Sequence, residues 1–274
     1  MPLVYACIAP HGGEVVPELA GKKLRLFAPT RKGMRILAQA MKASNPDTIV
    51  IATPHNLRLH KHIGIVTAEN TSGKVFEGRR VIRMRARCDT ELAAKLRKEG
   101  EAAGLPVVAA NYGVFEGPLS DMAMDWGTMI PLWFLLKETR LKSRVVIVTP
   151  SREIPLGQNV EFGAVVAKVA TAEESRIAFV ASSDQAHRHM KNGPYGFDPR
   201  AAEYDRLVLD AIRRDALQEI TAYDPGFVDG ARPDSLWQMA MLVGVLSQVP
   251  MKGELVSYQV PTYYGMLCAS YKPY

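Results

Sequence analysis

A chain of 274 residues, 47% hydrophobic and 23% charged, can bury a core of its own, and this balance excludes a disordered chain. Its formal charge of +6 comes without the Lys/Arg run of a nucleic-acid tail, so no nucleic-acid partner is expected. No apolar stretch approaches the ~20 residues that cross a bilayer, which excludes a membrane-spanning helix.

The first strand is predicted over Leu3–Ala9, followed by the turn Pro10-His11-Gly12-Gly13. A helix over Pro29–Ala43, with Met34, Leu37, Ala38 and Met41 on one face, leads to a nearly all-apolar strand, Thr48–Ala52. This unit implies a parallel pair joined by a crossover helix. Strands are expected at His62–Thr67, Val81–Cys88 and Leu105–Ala109, with a helix over Thr90–Ala103 between the last two. In Val81–Cys88, Arg83, Arg85 and Arg87 share one face, solvated or turned towards an anion. An apolar helix opens at Asp125 and runs to about Leu136. Strands at Arg144–Thr149 and Arg176–Ser182 flank a helix at Asn159–Ala172. Helices over Pro199–Ile212 and Asp234–Leu246 precede a closing antiparallel pair, Leu255–Val260 and Gly265–Tyr271. The alternation continues nearly to the end with no repeat or linker. It predicts one α/β domain with a central mixed, mostly parallel sheet flanked by helices.

Three cysteines, Cys7, Cys88 and Cys268, stand far apart. That argues against a disulfide framework and suits a reducing cytoplasm. The first strand begins at once with no secretory leader, so a soluble cytoplasmic protein is expected.

The functional signal lies in the histidines. Three of the six, His11, His55 and His187, each follow a predicted strand closely. Ligands of open α/β sheets bind beyond the carboxyl ends of the strands, so three imidazoles delivered there can converge. His11 and His55, each in a Pro-His step, are the strongest pair of metal ligands. Each alone could instead cap a turn. Two histidines and a carboxylate on one face of an octahedron leave three positions open, which suits non-haem Fe(II) binding O2 and an organic ligand together. Asp229 is preferred as the carboxylate, because Asp234 is expected to cap the last helix; Glu14 stays open. His187 suits general acid/base work, with Asp184 to orient an imidazole or favour its charged form. His60 and His62 read as loop or surface residues, and nothing in the sequence turns the nearby His189 the same way as His187.

Five stretches carry a resemblance: Ala9-Pro10-His11-Gly12-Gly13, Ala52-Thr53-Pro54-His55, Asp125-Trp126-Gly127-Thr128-Met129-Ile130-Pro131, Ser182-Ser183-Asp184 with His187, and the Gly244-Val245-Leu246 helix. In their order and spacing the chain resembles the class III extradiol ring-cleavage dioxygenases, the fold of the catalytic subunit of protocatechuate dioxygenase. It also resembles that superfamily's Memo-like branch. The resemblance implies Fe(II), or else Mn, Zn or Cu, held by His11, His55 and Asp229, with His187 as acid/base. It implies a catechol-like aromatic substrate and O2, with Trp126 and Pro131 shaping the substrate pocket. It further implies a homo-oligomer, and in some relatives a small second subunit. Trp126 stands where many dioxygenases place a histidine. Asp229-Gly230-Ala231-Arg232-Pro233 copies the Memo-like Cys-Gly-x-x-Pro motif with aspartate for cysteine. The Memo-like reading implies a metal-binding protein without ring cleavage; a zinc hydrolase is a third use of the same ligands.

Overall fold

Four strands with apolar interiors form the centre of the computed structural model, which describes residues 2–274. In chain order the elements are β1 (Leu3–Ala9), α1 (Pro17–Ala20), α2 (Ala28–Ser44), β2 (Thr48–Ala52), β3 (Ile63–Val66), β4 (Asn70–Glu77) and β5 (Arg80–Arg87). Then come α3 (Thr90–Ala102), β6 (Val107–Ala110), β7 (Asp121–Ala123), α4 (Trp126–Leu132), β8 (Arg144–Thr149), α5 (Leu156–Ala172), β9 (Ile177–Ser182) and β10 (Asp184–Ala186). The chain closes with α6 (Arg200–Arg213), α7 (Pro225–Ala231), β11 (Pro233–Asp234), α8 (Leu236–Gln248), β12 (Met251–Gln259) and β13 (Met266–Pro273).

The main sheet has ten strands in the order β11-β10-β13-β1-β9-β2-β8-β3-β6, with β12 paired to β13. The central strands β1, β9, β2 and β8 are parallel. β13 and β3 flank them antiparallel, and β6 runs parallel to β3. This is the mixed single-domain α/β architecture expected. The crossover after β1 also runs as expected, but β9 inserts between β1 and β2, so the two are not neighbours.

The apolar strand interiors follow from burial of both sheet faces. On β1, Leu3, Ala6 and Ile8 enter one core and Tyr5, Cys7 and Ala9 the other. The first core is closed by α5 and α8, whose backbones touch. A Cβ at Gly163 would strike the Met241 carbonyl, and one at Gly244 the Val160 carbonyl. Helix α2 covers the opposite face through Met34, Leu37 and Met41.

A second, three-stranded sheet, β5-β4-β7, was not expected from the sequence. Val81–Cys88 is indeed a strand, within a residue at each end, but its hairpin partner β4 is polar and half-exposed and carries no apolar alternation. Strands β10 and β11 are too short for periodicity to register.

Candidate metal centre

Because β1, β9 and β2 are adjacent and parallel, their carboxyl ends open at one place on the sheet edge. His11 follows β1 and His55 follows β2, and their Nε2 atoms stand 3.2 Å apart. Asp234 Oδ2 lies 2.8 Å from His55 Nε2 and 3.5 Å from His11 Nε2. Among the described residues these three form the group able to hold a metal ion. Donors bound at about 2.1 Å to one ion, at right angles to each other, stand about 3 Å apart, which the three separations fit.

The carboxylate that folding brings to the two histidines is Asp234, and the expected Asp229 is not in the group. Asp229 is exposed on α7, in the field of Arg200, and is not one of the group. Asp234 also lacks the helix-capping job expected of it, since Ser235 is the residue that precedes α8. Instead it belongs to β11, directly opposite Asp184 on β10. Two carboxylates facing each other across a strand pair repel, and a cation relieves that repulsion. Glu14 turns away to Lys23, 2.7 Å distant.

The donor set is held by a surrounding shell. Arg152 binds Asp234 Oδ1, leaving Oδ2 for the histidines, and its guanidinium lies 4.4 Å above the Trp237 ring. Gln238 Nε2 donates to the Ser182 and Asp234 carbonyls, tying the two strand ends together. Asp184 is turned to His11: Oδ1 accepts the His11 backbone N–H at 2.9 Å and Oδ2 lies 3.5 Å from Nε2. Burial opposes charge on His11, yet Asp184 and Asp234 outweigh it and raise its pKa. Burial likewise opposes ionisation of Asp234, but hydrogen bonds from both histidines, with the charges of His11 and Arg152, hold its carboxyl well below the ordinary range.

Pro131 belongs to this shell. The resemblance places it in the substrate pocket, whereas it is buried inside α4. A proline has no N–H, so it cannot make the helical bond to the carbonyl four residues earlier, which is that of Gly127. The freed Gly127 carbonyl accepts instead from the Ser182 hydroxyl. With its proton committed, Ser182 Oγ accepts from His11 Nδ1 at 3.0 Å. His11 thereby keeps a proton on Nδ1 and turns Nε2 to the centre, where that nitrogen, once deprotonated, would be the one to meet a metal. Ser182→Ala would orphan two buried polar atoms at once. It is expected to cost about 1–3 kcal/mol in chemical denaturation and to weaken metal binding about 10–100-fold by chelator competition.

Trp126 lies tilted over His55, ring centres 4.2 Å apart, with 47% of its surface exposed at the mouth. Gly127 permits this approach, since a Cβ there would meet Thr53, Asp125 and His55. Asp125 caps α4 by accepting from the Thr128 N–H and hydroxyl.

His187 arrives from β9 by way of β10. Its Nδ1 donates to the Gln185 carbonyl at 2.7 Å, leaving Nε2 free as a proton acceptor. The ring stacks on Tyr264, centres 5.2 Å apart. Burial outweighs the attraction of Asp184 and Asp234 and lowers its pKa, so the neutral form dominates near pH 7. The loop is pinned by buried Asp205, which accepts from Ala186 N–H, His189 Nε2 and Tyr258 OH. His189 is thus structural, while His60 and His62 are exposed. Sequence reasoning missed Arg152, Gln238 and Tyr264. Each acts through a neighbour brought by folding, and no local pattern marks it.

Comparison with known proteins accords with this geometry. Residues 5–269 match the family described as the catalytic LigB subunit of aromatic ring-opening dioxygenase, and the chain belongs to that family. The Clostridium acetobutylicum protein CA_C1420 is 26% identical over 253 residues, covering 92% of this chain. The chain spans only 54% of that relative's length. A solved structure, the uncharacterized protein JW3007 of Escherichia coli K12, shares the fold with a TM-score of 0.58. It is 16% identical and covers 97% of this chain and 99% of its own. No helix among the described residues is long and apolar enough to cross a membrane.

Proposed function

We propose that this protein is a non-haem Fe(II) extradiol dioxygenase that opens a catechol-like ring with O2. The observation that carries the reading is the His11, His55 and Asp234 donor set with a neutral imidazole, His187, fixed at the adjoining strand end. The metal would hold both reactants and accept developing charge. His187 Nε2 would take the phenolic proton, and Asp184 and Asp234 would steady the imidazolium that results. The net charge of +6 would suit an aromatic that carries an anionic group.

Iron-loaded protein, kept anaerobic and then mixed with aerated catechols, is expected to give a yellow ring-fission product that disappears in His55→Ala. Absence of any product across a broad panel, with iron bound, sinks the reading. A Memo-like metal protein without ring cleavage is the second reading, favoured by Trp126 covering His55 where many dioxygenases place a histidine. It expects tight copper or zinc binding and no O2 uptake with any catechol.

A further inference from the structure

Strand β5 is an edge of the three-stranded sheet, paired only with β4 along its length. Its other edge offers unpaired backbone groups to another chain. Alternation along β5 exposes Arg83, Arg85 and Arg87. Facing them is the segment 136–144, which exposes Lys137, Arg140 and Lys142. Between the two runs a cleft of about 750 Å³, with Met84, Ala86, Leu136 and Leu141 as apolar lining. Just past the end of β5, Cys88 bridges to Val145 of β8.

Two of these cations have partners already: Arg85 donates to the Pro118 carbonyl at 3.0 Å, and Lys137 Nζ lies 3.6 Å over the Trp133 ring. Asp121 lies 3.5 Å from Arg85, and Asp89 lies 3.2 Å from the neighbouring Arg144. Among the described residues, Arg83, Arg87, Lys137, Arg140 and Lys142 form no ion pair. Arg83 even stands directly opposite Lys74 in the strand register, a like-charge pair that costs stability until an anion sits between them.

We propose that this cleft binds an extended acidic segment of a partner protein, which adds to β5 as a further strand. Side chains on one face of a strand recur every second residue, about 6.6–6.8 Å, so carboxylates alternating along the incoming segment can meet Arg83 and Arg87, the two arginines on that face of β5 without an acidic partner. The cleft is lined by no aromatic side chain on which bases could stack, which favours a peptide over single-stranded nucleic acid. The cations are strung along the cleft, not gathered at a point as for a single phosphate.

The test titrates the full-length protein with a fluorescent eight-residue peptide alternating Glu and Thr. The comparison probes are a Lys/Thr peptide, oligothymidine and inorganic phosphate. Saturable binding of the Glu/Thr peptide is expected, weakening as salt rises. In the double variant Arg83→Glu/Arg87→Glu it should weaken at least about tenfold, with metal content and circular dichroism unchanged. A Glu/Thr peptide N-methylated at alternate amides should also bind at least about tenfold more weakly, because it cannot complete the ladder. Undiminished binding of that peptide would overturn strand addition. Tighter binding of oligothymidine would overturn the peptide in favour of nucleic acid. No binding of the Glu/Thr peptide would mean that the arginines merely keep an exposed edge from pairing.

Discussion

Exchanging Asp234 for asparagine is expected to abolish stoichiometric metal binding, while Asp229→Asn leaves it unchanged. Loss of a partner outside the coordination shell costs about 10–100-fold in affinity, and loss of a direct donor exceeds that. Asparagine preserves the shape of Asp234 and its contact with Arg152, but removes the charge that faces His11 and His55 at 3.5 and 2.8 Å. Metal content per chain after dialysis against a competing chelator measures the difference. The variant should remain folded, since an amide oxygen still accepts from Arg152. Retention of metal in Asp234→Asn together with its loss in Asp229→Asn would reverse the assignment.

The choice between these two aspartates marks where the sequence stops being legible. His11 and His55 could be read because each succeeds an apolar strand, and adjacent parallel strands deliver the residues at their carboxyl ends to one edge. The carboxylate comes from β11, two residues long, and its place is set by pairing with β10. No periodicity exists over two residues. Asp234 immediately before an apolar helix also carries the pattern of an N-cap. The competing rule that wins is antiparallel pairing with Asp184, which hands the capping position to Ser235. Pro131 illustrates the same limit. Its position in the chain was plain, yet its consequence passes through the Gly127 carbonyl and Ser182 to His11, a path that exists only once β9 lies beside α4. The main sheet was legible because both its faces are buried. The three-stranded sheet was not, since half-exposed strands such as β4 carry weak patterns.

Removing the imidazole of His187 is expected to separate binding from turnover. His187→Ala should keep its metal, because the residue is not one of the three donors. On the proposed reaction it should lose about 10²–10⁴-fold in kcat, the usual contribution of a positioned general base. His187→Gln should behave alike, since an amide can hydrogen bond but cannot take a proton at neutral pH. The pH profile supplies the sharper test. A general base works in its neutral form, so activity falls as pH drops through its pKa. Burial lowers the pKa of His187 from 6.5, so the acid limb of kcat/KM should lie below pH 6.5 in the native protein. Residual activity in either variant should lack that limb. A variant that keeps the limb would assign it to another group and remove His187 from the reaction. Loss of metal in His187→Ala would instead show that the Tyr264-stacked ring supports the centre rather than the chemistry.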